Sequence, residues 1–163
     1  MLTEVYDIET LSNLFTYTGY CRNNKTYYQF VIHRSKNDFE ELIKHLHRDQ
    51  LIMVGFNNLN FDYPVLHHMI HHYDEYINLE GDDLAQKIYT KSQELIHMDF
   101  SAIAEWNTKI KQLDLFKIHH YDNPAKATSL KSLEISMNLP NVEDMPFDHT
   151  HWCSTDEIED ILA

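Results

Sequence analysis

The stretch Glu4-Val5-Tyr6-Asp7-Ile8-Glu9 alternates polar and apolar side chains, the two-residue period of a half-buried β-strand. Two further runs, Phe15 to Tyr20 and Tyr27 to His33, are rich in aromatic and β-branched residues and are joined through Arg22-Asn23-Asn24-Lys25, so three strands open the chain. Phe39, Leu42, Ile43 and Leu46 then recur at helical spacing behind Asn37 as an N-cap. Leu51 to Phe56 is a short apolar run, as expected of a strand buried on both faces, and Pro64 suits the first turn of the next helix. Helical patterns continue from Tyr63 to Asn78 and from Asp82 to Ile96, with Gly81 between them. Leu113 to Ile118 reads as a fifth strand, Ser129 to Met137 as a short helix, and Ser154-Thr155-Asp156-Glu157 as a capping box opening a helix through Ile158, Ile161 and Leu162. Three early strands followed by alternating helix and strand predict an α/β protein with a mixed sheet flanked by helices.

At 163 residues the chain has the size of a single domain spanning 1–163. No apolar run approaches the length of a membrane span, so no membrane is expected, and Met1-Leu2-Thr3-Glu4 lacks the basic start and apolar stretch of a signal peptide. The expected compartment is the cytoplasm. Cys21 and Cys153 fit no metal or redox spacing and read as reduced thiols. The formal net charge of −13 argues against a protein that coats nucleic acid, because non-specific affinity comes from Lys and Arg neutralising phosphates. It leaves open an enzyme that grips a few nucleotides in a cleft through metal ions and stacking.

Residues two apart on a strand share a face, so Asp7 and Glu9 present neighbouring carboxylates. Asp62 follows the apolar strand at Leu51 to Phe56, where a strand hands over to a helix and α/β sheets place their sites. Clustered carboxylates repel unless a cation neutralises them, and oxygen-only ligands select hard ions, Mg²⁺ or Mn²⁺. Two such ions about 4 Å apart serve the in-line displacement of a phosphodiester. Alternating acids on a strand also arise on any solvated face, so Asp7 and Glu9 alone decide nothing.

The second motif is more specific. Asp7-Ile8-Glu9-Thr10, followed by Phe56-Asn57 and then Phe61-Asp62-Tyr63-Pro64, resembles the first two exonuclease motifs of the DEDD, or DnaQ-like, superfamily, most nearly those of proofreading domains of family B DNA polymerases. Leu113-Asp114-Leu115-Phe116 and Ser129-Leu130-Lys131-Ser132-Leu133 resemble the segment between the family's second and third motifs. This resemblance implies a ribonuclease H-like fold and a 3′ to 5′ exonuclease of DNA replication. Asp7, Glu9 and Asp62 would be its catalytic and metal-holding acids, Asn57 and Phe61 its substrate contacts. Its partners would be the 3′ end of a single strand and a polymerase or replication protein. A third motif bearing a fourth carboxylate and a general base is expected just after the segment 156–163, so the domain reads as C-terminally incomplete and without its last helix. His151 and Asp156 have the spacing of the family's histidine-type variant, yet Asp156 falls in a capping sequence.

Two other readings remain open. One is a catalytically inactive ribonuclease H-like module that docks on a replication partner. The other uses His67, His68, His71 and His72, whose four-residue spacing can place two imidazoles on one metal, against a plain helix face titrating near neutral pH. His119-His120 belongs with that plain reading. Asp114 is expected to make a local hydrogen bond, and Tyr27, Tyr28, Trp106 and Trp152 to be core aromatics before stacking platforms.

Overall fold

The structure, a computed structural model, describes residues 1–98, 103–121, 128–140 and 147–162. Its centre is a six-stranded mixed sheet. Strand β1 (Leu2–Leu11) pairs antiparallel with β2 (Leu14–Cys21), β2 with β3 (Thr26–His33), and β3 with the two-residue β4 (Lys36–Asn37). On its other side β1 runs parallel to β5 (Leu51–Gly55), and β5 parallel to β6 (Lys111–Asp114), giving the order β4-β3-β2-β1-β5-β6.

The alternation in β1 does what its period requires. Glu4, Tyr6, Ile8 and Thr10 turn to the buried face and Val5 and Asp7 to the exposed one. The buried face packs beneath α1 (Phe39–Leu46), α2 (Asp62–His71) and α4 (Gly81–Ile96), in a core that includes Phe15, Tyr17, Phe39, Leu42, Leu46, Met53, Leu66, Met69, Leu84 and Ile88. Each fully buried Leu contributes about 1.5–3 kcal/mol relative to exposure. A smaller cluster of Leu11, Leu14, Val31, Cys153 and Ile158 docks α7 (Thr155–Leu162) onto one end of the opposite face. Ser154 and Glu157 close the expected capping box: Glu157 N–H donates to Ser154 Oγ at 3.3 Å and Ser154 N–H to Glu157 Oε2 at 2.8 Å.

Four expectations about elements are corrected. The strand placed at Leu113 to Ile118 is β6, earlier and shorter, because Asp114 accepts from Phe116 N–H at 2.9 Å and starts α5 (Leu115–His119). The helix expected from Tyr63 to Asn78 is divided at His72 into α2 and α3 (Tyr73–Tyr76). Asn37 lies in β4 and Asp38 holds the N-cap position of α1, although Asn37 Oδ1 still accepts from Phe39 N–H at 3.2 Å. Gly81 begins α4 instead of merely separating two helices. The short helix after Ser129 is α6 (Leu130–Ser136), with the Ser129 hydroxyl accepting from Ser132 N–H.

Among the described residues no helix is long and apolar enough to cross a membrane. Cys21 and Cys153 are both buried free thiols.

Candidate carboxylate site

Strand β1 feeds β2 on one side of the sheet, whereas β5 feeds β6 on the other, so the chain changes direction between the adjacent parallel strands β1 and β5. Crevices outside the carboxyl ends of strands at such a point are where α/β sheets bind ligands. The pairing of β5 with β1 stops at Val5 and Val54, and the next part of β1 carries Asp7 and Glu9. The register sets Asp7 opposite Thr18 and Glu9 opposite Thr16, which places both acids on one face as expected. Asp7 is exposed, Glu9 half-buried, and Asp62, the first residue of α2, buried.

These three carboxyls perturb one another. Burial and then the Asp7 charge push Asp62 up to about 7, with Glu9 adding to the effect, and the Asp62 and Ile8 backbone N–H groups oppose it. Burial and the Asp7 charge likewise push Glu9 up to about 7. Asp7, although its residue is exposed, is raised by the desolvation its neighbours impose, with hydrogen bonds from Ile8 N–H and from Asp62 working the other way. The donor set, three carboxylates raised by desolvation and two of them also by a neighbouring charge, is of the chemical kind a hard divalent cation neutralises. Among the described residues, no three His, Cys, Asp or Glu side chains converge closely enough to hold a metal ion as they stand.

The loop from Phe56 to Phe61 is anchored from an unexpected quarter. Asp114 is buried, and its Oδ1 accepts from Asn57 N–H at 2.9 Å while its Oδ2 accepts from Leu59 N–H at 3.1 Å. Asn57 adopts a left-handed backbone, φ 60°, and its side-chain oxygen accepts from Asn60 Nδ2 at 2.7 Å. Asn58 is fully buried: its amide donates to Gln112 Oε1 at 2.8 Å, an acceptor shared with the Tyr6 hydroxyl. The local hydrogen bond expected of Asp114 is the one it accepts from Phe116 N–H; the two it accepts from Asn57 and Leu59 reach across the sheet and position the loop carrying the proposed substrate contact Asn57. Phe61 is partly buried and packs against the main core. Reading the sequence alone missed Asn58 and Gln112; amide side chains at the end of an apolar strand and within β6 were the available signal.

Other candidates fall elsewhere. His151 lies 3.1 Å from Glu157 Oε2, and Asp156 is exposed in the first turn of α7. His67 lies beside His71 and His68 beside His72, their rings tilted, with ring centroids 4.3 and 3.9 Å apart. Burial, then the facing histidine, lowers both His67 and His68 to about 4, below the near-neutral range expected of these two. His120 is buried between Phe116 O and Thr128 N–H. Trp106 is 91% exposed, and Tyr27 and Trp152 are also exposed, so these are not core aromatics. Tyr28 sits half-buried under the Arg48 guanidinium, 5.0 Å from the ring centre.

Comparison of the chain with models of known protein families, with curated proteins and with solved structures finds no match.

Proposed function

We propose that the chain is a ribonuclease H-like, metal-dependent 3′ to 5′ exonuclease, or the exonuclease segment of a DNA polymerase, acting on single-stranded ends. The observation that carries this reading is the position of Asp7 and Glu9 on one face of β1 and of Asp62 at the start of α2, beside the β1/β5 crevice, each raised in pKa by desolvation and two of them also by a neighbouring carboxylate. A sheet whose first three long strands are antiparallel and whose next two run parallel to the first supports the ribonuclease H-like assignment. In this reading Asp7, Glu9 and Asp62 hold Mg²⁺ or Mn²⁺, and the metal supplies charge neutralisation and an activated water for phosphodiester hydrolysis. The chain's own groups supply the rest. Asp114 fixes the loop that presents Asn57 to the substrate strand, and the buried Asp62 keeps its carboxyl at the crevice. Polymerase or replication proteins are the corresponding partners.

Incubation with 5′-labelled single-stranded DNA in Mn²⁺ tests it. Stepwise shortening that disappears in Asp7→Ala and Asp62→Ala, both folded, is the expected result. The incomplete convergence of the three acids favours one second reading, an inactive module that docks on a replication partner. Absence of shortening at high protein concentration would replace the first reading with the second.

A further inference from the structure

At the opposite end of the sheet, the amino ends of β5 and β6 and the carboxyl end of α1 enclose a cleft of about 290 Å³. It adjoins a second of about 370 Å³ between α1 and the end of α2, and the two share His47, Ile70 and Lys109. Four of the chain's 13 Lys and Arg line the pair: Lys44, Arg48, Lys109 and Lys111. Of its 26 Asp and Glu, only Glu40 does, and Glu40 is paired with Lys44 at 2.7 Å. On a chain with twice as many acids as bases, this reverses the general balance.

Part of the excess has a plain cause. Lys44 and Arg48 lie at the carboxyl end of α1, where cations complement the helix dipole, and Arg48 is also held by Glu4 Oε2 at 2.5 Å. Lys109 and Lys111 come from β6 and its approach, and neither has an ion-pair partner among the described residues. The walls differ in character. The first cleft brings Arg48, Lys109 and Lys111 together, and the second sets Ile43, Ile70 and Tyr73 beside them. His47 lines both, its ring fixed by Nδ1 against Ile43 O at 2.7 Å. Each volume is near the lower end for small-molecule sites, so the pair suits a compact ligand with an anionic head and a flat apolar ring.

We propose that these joined clefts bind a nucleoside diphosphate, with the phosphates against Lys109, Lys111 and Arg48 and the base against Ile43, Ile70 and Tyr73. The site is separate from the carboxylate crevice and does not depend on its chemistry. Calorimetric titration with ADP in the presence of EDTA tests it. Saturable binding is expected, at least about tenfold weaker for adenosine and for pyrophosphate, and weakened by a similar factor in the Lys109→Glu/Lys111→Glu double variant. Asp7→Ala should bind ADP as the parent does, so failure here and failure of the nuclease reading are distinguishable. Both lysines are exposed, and circular dichroism checks that the double variant folds; His47→Ala gives a second probe of the same wall. No binding up to about 5 mM, or binding indifferent to both substitutions, overturns the proposal. So does equal affinity for pyrophosphate, which removes the base contact, and so does a dT12 oligonucleotide that binds more tightly and is lost in the double variant, which makes the clefts part of a strand path.

Discussion

Asp114 Oδ1 accepts the backbone N–H of Asn57 at 2.9 Å, across 57 residues of chain, and so joins the end of β6 to the turn that leaves β5. The same carboxylate accepts from Leu59 and Phe116 N–H. It therefore holds a left-handed asparagine in place and starts a helix at once.

Replacing Asp114 by Ala leaves three N–H groups without this acceptor in a buried setting. We expect a loss of about 3–5 kcal/mol, read as a lowered urea midpoint. Asp114→Asn keeps one oxygen and turns an NH₂ towards N–H donors, so it should recover less than half of the loss. If the proposed exonuclease activity is present, either variant should depress it with Asp7, Glu9 and Asp62 intact.

Stability should depend on pH in an unusual sense for carboxylates. Glu9 and Asp62 titrate at about 7 when folded but near ordinary carboxylate values when unfolded. Between about pH 4 and 7 the folded chain binds more protons than the unfolded one, so ∂ΔG/∂pH of unfolding is negative and this contribution is lost as pH rises through 7. Thermal melting without divalent ions should therefore show a higher midpoint at pH 5.5 than at pH 8, once other groups are accounted for with Asp62→Asn. Mn²⁺ should raise the midpoint more at pH 8 than at pH 5.5, since protons compete with it for the same oxygens.

A different buried carboxylate should behave in the opposite way. Glu4 is fully buried between β1 and α1; burial alone would raise it, but hydrogen bonds from His45, Tyr17 and Arg48 together bring it below its ordinary value. Its contribution is present above pH 4.5 and is lost as pH falls through the lowered folded value. Glu4→Ala strands three polar partners and should cost about 3–5 kcal/mol by chemical denaturation. Gly19→Ala should also destabilise, because the added methyl would overlap Glu4 Oε1. Its cost should be smaller in the Glu4→Ala background, a coupling that a double-mutant cycle measures.

Side-chain hydrogen bonds hold the start of α7 alongside its apolar contacts. Asn13, in the turn between β1 and β2, donates to Cys153 O and accepts from Cys153 N–H, both at 2.9 Å. Asn13→Ala should weaken the docking of α7 by about 1–3 kcal/mol. Hydrogen exchange should then quicken across residues 153–162 and stay unchanged in β1 and β5.

Much of the sheet was legible because its signals are local. Alternation in Glu4 to Glu9, aromatic and β-branched runs in β2 and β3, and the apolar run of β5 each report their own surroundings. The end of β6 was not, since Leu113 to Ile118 is apolar enough for a strand and only the Asp114 side chain, by capping Phe116, ends it. The division of α2 from α3 also left no breaker residue to read. Of the site, the shared face of Asp7 and Glu9 followed from strand parity. The joint role of Asp114, Asn58 and Gln112 did not, because those hydrogen bonds cross more than 50 residues.

The two-residue strand β4 has a consequence for association between molecules. An outer strand with a long row of unpaired N–H and C=O groups invites the sheet of another molecule to add to it. Here β4 covers only the end of β3: Asn37 and Lys36, both exposed, pair with Ile32 and His33, and Lys36 carries its charge to Asp38 at 2.9 Å. A guest strand would meet that charged side chain beside Ile32 and His33, whereas Thr26 to Phe30 have no partner strand on that side among the described residues, so the remainder of β3 is where the sheet of another molecule could add.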